Sequence, residues 1–204
     1  MTEAGDAPPP GYPHELTESA LLDDGTPVVF RAIRPDDDER LARLFFRLSP
    51  ESVYLRFFAP VPRPSAAMIR RLVTVDYVDR LAIVALADDE IVGVARYERL
   101  AAVAPSALRA DPGEAEAAVV VEDAWQGRGI ATRLLWRLSA AAVDRGIHTF
   151  TGTVLAQNRP MMGLLHVLGH SVSTELDGSE YLVRLRLAGG PRDPRAGADA
   201  VGRP

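Results

Sequence analysis

Glu114 and Glu116 stand two residues apart in EAEAAVVVED, and the turn WQGRGIATR (Trp125–Arg133) follows at once. If Glu114–Asp123 is a strand, its two-residue period puts both carboxylates on one face. Such a carboxylate could take a proton from a substrate, or simply face solvent. The turn could do something else. A helix N-terminus exposes unpartnered N–H groups and carries partial positive charge. Glycine has no Cβ to keep an anion away from them. Strand, glycine turn and helix in succession therefore make a phosphate site, with a plain tight turn as the alternative. A dinucleotide fingerprint needs G-x-G-x-x-G/A, and GRGIAT puts Thr132 at its last position. A P-loop needs a lysine, and the chain contains none. The expected ligand is a phosphate carrier of another kind.

The patterning supplies elements to hold these residues. PVVFRAIR (Pro27–Arg34) reads as a strand. PDDDERLARLFFRLS has acids in its first turn and Leu41, Leu44, Phe45 and Leu48 at helical spacing. SPESVYLRFF opens with a serine cap and a proline at the first helical position, and Ser65–Val75 reads as a third helix. Leu81–Ala87 and Ile91–Arg99 form a hairpin. Gly129–Arg145 is a helix ending at Gly146, with Ile130, Leu134, Leu135 and Leu138 on its apolar face and Arg133, Arg137 and Asp144 opposite. His148–Leu155 is a strand and Asn158–Gly169 a helix, with Asn158 at the capping position. A hairpin about DGS closes the domain. The order β-α-α-α-β-β-β-α-β-α-β-β predicts an α/β (α+β) fold, a mixed sheet flanked by helices. Residues 1–16 and 188–204 read as disordered ends around one domain, 17–187.

Composition narrows the function. There are no cysteines, which excludes disulfides, thiolate metal sites and a cysteine nucleophile. The formal net charge of −5 argues against nucleic acid as a partner. No apolar run approaches the ~20 residues needed to span a bilayer. The acidic, proline-rich start is no secretory signal, so a cytoplasmic location is expected. All 23 basic residues are arginine. His166 and His170 are four apart, but HVLGH lacks the glutamate of HExxH and Gly169 falls between them, so no metal is expected.

QGRGIA (Gln126–Ala131) fits [QR]-x-x-G-x-[GA], the acyl-CoA signature of the GNAT superfamily of N-acetyltransferases, and the chain resembles that superfamily from about Val28 to Leu187. NRPMMGLLHVLGH resembles the family's N-x-x-(A/M)-x-x-L-x-x-x-L-G-F segment. SPESVYLRFF and GEAEAAVVVED look most like bacterial Pat-type protein lysine acetyltransferases. The resemblance implies a mainly antiparallel sheet with two splayed central strands and acetyl-CoA as co-substrate. It implies that the edge of Val119, Val120 and Val121 pairs with the pantetheine amides. It implies that the turn of Gly127, Arg128, Gly129, Ile130, Ala131 and Thr132 holds the pyrophosphate, with Arg133 adding charge. Asn158 would contact CoA near the thioester, and Glu116 would be the general base.

One position departs from the family. The tyrosine that many members carry seven residues after the asparagine is Leu165 here. Tyr54 and Tyr181 are the substitutes to be tested, with packing as their alternative role. The leading expectation is acetylation of lysines on partner proteins, and a lysine-free chain cannot acetylate its own side chains. The alternatives are a small-amine acetyltransferase (amino sugar, polyamine or antibiotic) and a non-catalytic acyl-CoA sensor. The acceptor region, Leu41–Val75, is rich in Arg and aromatics.

Overall fold

The computed structural model describes residues 8–58, 64–100, 111–168 and 171–187. An eight-stranded open sheet runs in the order β1-β2-β3-β4-β5-β6-β8-β7. Its strands are β1 (Glu18–Leu21), β2 (Pro27–Ala32), β3 (Arg80–Ala87), β4 (Glu90–Arg99), β5 (Glu114–Val121), β6 (Thr149–Leu155), β7 (Ser171–Asp177) and β8 (Glu180–Arg186). The helices are α1 (Asp38–Arg47), α2 (Pro50–Phe57), α3 (Ala66–Val73), α4 (Ile130–Asp144) and α5 (Arg159–Val167). Neighbouring strands are antiparallel except β5 and β6. These two run parallel because α4 carries the chain back across the sheet between them.

Each face of the sheet has its own core. On one, α1 and α3 press Leu41, Leu44, Ile69 and Val73 onto Ile33, Ala82 and Val84. On the other, Ile130, Leu134 and Leu138 of α4 and Leu165 of α5 pack on Phe30, Ile83, Tyr97 and Phe150. This is the expected mixed sheet between helical layers. Local chemistry sets the helix ends. Ser49 Oγ accepts from the Ser52 N–H at 3.1 Å and Ser65 Oγ from the Met68 N–H at 3.2 Å. Gly146, at φ +74°, ends α4 in the left-handed region that favours glycine. No helix among the described residues is long and apolar enough to cross a membrane.

Two expectations need correction. The lead to residue 16 is not disordered throughout, because Tyr12 is buried and its hydroxyl donates to the Ala32 carbonyl at 2.9 Å. Residues 1–7 and 188–204 lie outside the described residues, as do Gly169 and His170. Arg137 does not face solvent either. Strand β1, which the sequence pattern did not show, covers that flank of α4. Arg137 is 6% exposed, ion-paired with Glu18 at 2.7 Å and stacked over the Phe30 ring at 4.3 Å.

Candidate functional site

The parallel pairing of β5 with β6 is short, joining only Glu114–Glu116 to Thr149–Thr151. β5 stays paired with β4 as far as Val121, opposite Gly93. β6 stays paired with β8 as far as Leu155, opposite Glu180. Past Glu116 and Thr151 the two strands therefore part, and their facing edges carry no ladder. A cleft of about 840 Å³, open to solvent, lies in the fork. Ala117–Val119 form one wall and Gly152–Val154 the other, with Phe150, Leu165 and Val183 beneath. Gly152 stands where the strands separate. A Cβ there would sit 3.2 Å from the Ala117 carbonyl oxygen, too close without a shift of backbone.

The glycine turn caps the open end of β5. Gly127 and Gly129 have φ +73° and +80°, which L side chains rarely adopt. Helix α4 starts at Ile130, and its first closing bond runs from the Arg133 N–H to the Gly129 carbonyl at 3.1 Å. Each backbone N–H from Gly127 to Thr132 is thus left without an acceptor among the described residues. A run of unpaired donors at a positive helix end is what an anion needs. Ile130 offers only its backbone, since its side chain is 1% exposed in the core. Arg128 is turned to the β1–β2 hairpin. It pairs with Asp24, donates to Thr26 Oγ1 at 2.7 Å and stacks on Trp125 at 4.4 Å. Arg133 donates to the Leu21 carbonyl at 2.7 Å. Val119 lines the cleft, Val120 lines a second cavity on the α1–α3 face, and Val121 is buried.

The two strand glutamates share a face but not an environment. Arg184 donates to Glu114, which is ion-paired and largely covered. Glu116 is exposed, lines the cleft and has no hydrogen bond or ion pair among the described residues. At the other end, Asn158 caps α5 by accepting from the Met161 N–H at 3.1 Å, and it also lines the cleft. Leu165 is 4% exposed and forms part of the apolar floor. Neither Tyr54 nor Tyr181 lines the cleft. His166 is exposed on α5, and its possible partner His170 falls outside the described residues.

Several contacts that hold the site escaped the sequence reading, including those of Gln126, the first residue of the signature. Gln126 donates both to Ser52 Oγ and to the Val121 carbonyl at 3.1 Å, tying the turn to α2 and to the end of β5. Asp123 accepts from Ser49 N–H, Ser49 Oγ and Ser52 Oγ, at 2.9, 2.6 and 2.9 Å. Burial pushes its carboxyl up, but these bonds outweigh it and hold the pKa below the usual value. Arg96 was missed as well. Only strand alternation could have shown that it shares a face with Glu116.

Known proteins share this architecture. Residues 51–170 match the model of the acetyltransferase (GNAT) family. An acetyltransferase of Pseudomonas aeruginosa is 33% identical over 82% of this chain and 87% of its own length. The acetyltransferase Pat of Mycolicibacterium smegmatis is 32% identical over 68% of this chain and 40% of its own length. The solved GNAT domain of S. lividans PAT superposes with a TM-score of 0.77 at 37% identity, covering 86% of this chain and 99% of that one.

Proposed function

The chain belongs to the GNAT acetyltransferase family, and from that premise we propose that it acetylates lysine side chains of partner proteins, with acetyl-CoA as donor. The observation that carries this reading is Glu116, unpaired at the head of the β5–β6 fork. The donor supplies a thioester carbonyl for attack by an amine. The residues of this chain do the rest. The N–H groups of Gly127–Thr132 hold the pyrophosphate. The unladdered edge of β5 from Ala117 to Val121 pairs with the amides of the pantetheine arm, as an added strand would. A β5 N–H there polarises the thioester carbonyl. Asn158 binds near the thioester while capping α5.

A lysine amine titrates near ~10.4 and must lose a proton before it attacks. Glu116 takes that proton, directly or through one water. The thiolate leaves without a tyrosine acid. A thiol titrates near ~8.5, so the thiolate is stable enough to depart unaided. Lysine on a protein is favoured over a small polycation because α2 and its C-cap bring an arginine and an aromatic, and no acid, to the cleft. Leu55, Arg56 and Phe58 line it. The Pat relatives agree with this reading.

A lysate incubated with isotope-labelled acetyl-CoA, with and without the protein, tests it. Label on lysine residues of proteins supports the proposal. Label confined to small amines overturns the acceptor class. Tight acetyl-CoA binding with no label transferred would make the chain an acyl-CoA sensor.

A further inference from the structure

The second cavity, on the α1–α3 face, has a wall that is apolar except at Arg56 and Arg96. Arg56, from α2, also lines the β5–β6 cleft with Glu116, so the two cavities meet at its side chain. Arg96, on β4, pairs with Ala118, and Glu98 pairs with Glu116. Arg96 therefore lies on the Glu116 face, one same-face step along the ladder.

These two arginines differ from their neighbours. Arg40, Arg43, Arg47, Arg71, Arg80 and Arg99 each have a carboxylate within ion-pair distance. Among the described residues, none lies that close to Arg56 or Arg96. Arg56 has only the Phe57 ring beneath it, at 4.9 Å. Burial pushes both guanidinium pKa values down, and the cations of Arg56, Arg80 and Arg71 push that of Arg96 down further. Glu116 and Glu98 offset this from a distance, and Glu98 also faces Arg71 at 3.6 Å. A guanidinium stays charged in spite of such shifts. Two half-buried cations without a carboxylate partner, beside an apolar cavity, leave room for an anion that would pair with both.

We infer that Arg56 and Arg96 form a subsite for a carboxylate carried by the acceptor close to its amine: on a protein, an aspartate or glutamate beside the target lysine. The inference rests on the acetyltransferase reading of the cleft; the protein-lysine acceptor decides only which carboxylate fills the subsite. The guanidinium fork matches a carboxylate. The apolar wall favours a monoanion over a phosphate dianion, whose desolvation costs more. The subsite selects the acceptor and takes no part in the proton transfer assigned to Glu116.

Paired lysine peptides, identical but for Glu or Gln beside the lysine, test this with acetyl-CoA as donor. The Glu peptide is expected to have a kcat/KM larger by on the order of tenfold or more, the worth of a charge-assisted bond. That ratio should fall toward one in both Arg56→Gln and Arg96→Gln. The two variants are checked for folding by circular dichroism and thermal unfolding. Equal kcat/KM for the two peptides overturns the inference, and so does a preference that survives both substitutions. A succinyl-CoA arm covers a carboxylate on the acyl group. If arginine-dependent selectivity appears only with that donor, the acceptor subsite is refuted. Free lysine and cadaverine, which differ only by the α-carboxyl, separate the two readings. If no peptide is acetylated but lysine outpaces cadaverine in an Arg96-dependent way, the protein-acceptor reading fails and the carboxylate subsite stands.

Discussion

Arg184 takes Glu114 into an ion pair and leaves Glu116, one same-face position along β5, unpaired above the cleft. The pairing gives one of two like residues a structural partner and leaves the other free for the proposed role of base. Glu116→Gln is expected to lower kcat by on the order of 10²–10⁴-fold, the usual worth of a positioned base. Its affinity for acetyl-CoA by calorimetry should not change. Glu114→Gln breaks only the partly exposed pair with Arg184, which costs at most about 1 kcal/mol of stability. Wild-type turnover in Glu116→Gln would remove the base assignment.

Gly127 and Gly146 provide a matched pair for the anion turn. Both have positive φ, +73° and +74°, and an added Cβ at either meets nothing within 4 Å. Alanine should therefore cost each about the same, roughly 1–2 kcal/mol of backbone strain. Only Gly127 lies among the unpaired N–H groups. Gly127→Ala should weaken acetyl-CoA binding severalfold, while Gly146→Ala should shift the unfolding midpoint alone. Equal affinities in the two variants would show that the turn does not hold the ligand.

The parts that were legible in the sequence are local ones. Gly127 and Gly129 are conformational requirements of one turn, and Asn158 caps the helix it precedes, so neighbouring residues reveal both. Strand alternation put Glu114 and Glu116 on one face, and only the family resemblance singled out Glu116 as the expected base. What stayed hidden depends on chain brought from far away. Arg137 looked like a solvent-facing helix residue because nothing nearby shows that Glu18 and Phe30 will cover it. Tyr12 sits in a proline-rich lead, yet its ring meets Tyr77 and Arg34 and its hydroxyl the Ala32 carbonyl of β2. Arg56 and Arg96 meet only once α2 lies over β4 and β5. Their unpaired state is a property of the assembled face.

Arg128 has its charge committed before any ligand arrives. Asp24 accepts from the Thr26 N–H at 3.0 Å and also pairs with Arg128. The Thr26 backbone and hydroxyl, and then Arg128, hold its carboxyl down to about 2. At neutral pH the carboxylate is charged, and it would compete with the proposed pyrophosphate for the arginine. Asp24→Asn should release that competition and tighten acetyl-CoA binding severalfold at low salt, with a smaller gain at physiological ionic strength, where screening weakens exposed pairs. Arg128→Ala should loosen binding under both conditions. If Asp24→Asn leaves the affinity unchanged at low salt, the guanidinium does not reach the ligand.

Tyr97 and Tyr77 set an alkaline limit on the fold. Tyr97 is fully buried and its hydroxyl donates to the Val78 carbonyl at 2.9 Å, while Tyr77 donates to the Ile33 carbonyl at 3.0 Å. Burial, as the largest cause, pushes both phenols up to about 12. In the unfolded chain they titrate near ~10. Above that pH the unfolded chain sheds protons that the folded one retains, so stability is complete below pH ~10 and is lost as pH rises through about 12. Thermal unfolding midpoints measured from pH 8 to 12 should fall steeply past 10. Tyr97→Phe should begin lower by about 1 kcal/mol for the lost hydrogen bond and then decline less steeply. A variant that follows the wild-type slope would assign the alkaline transition to other groups.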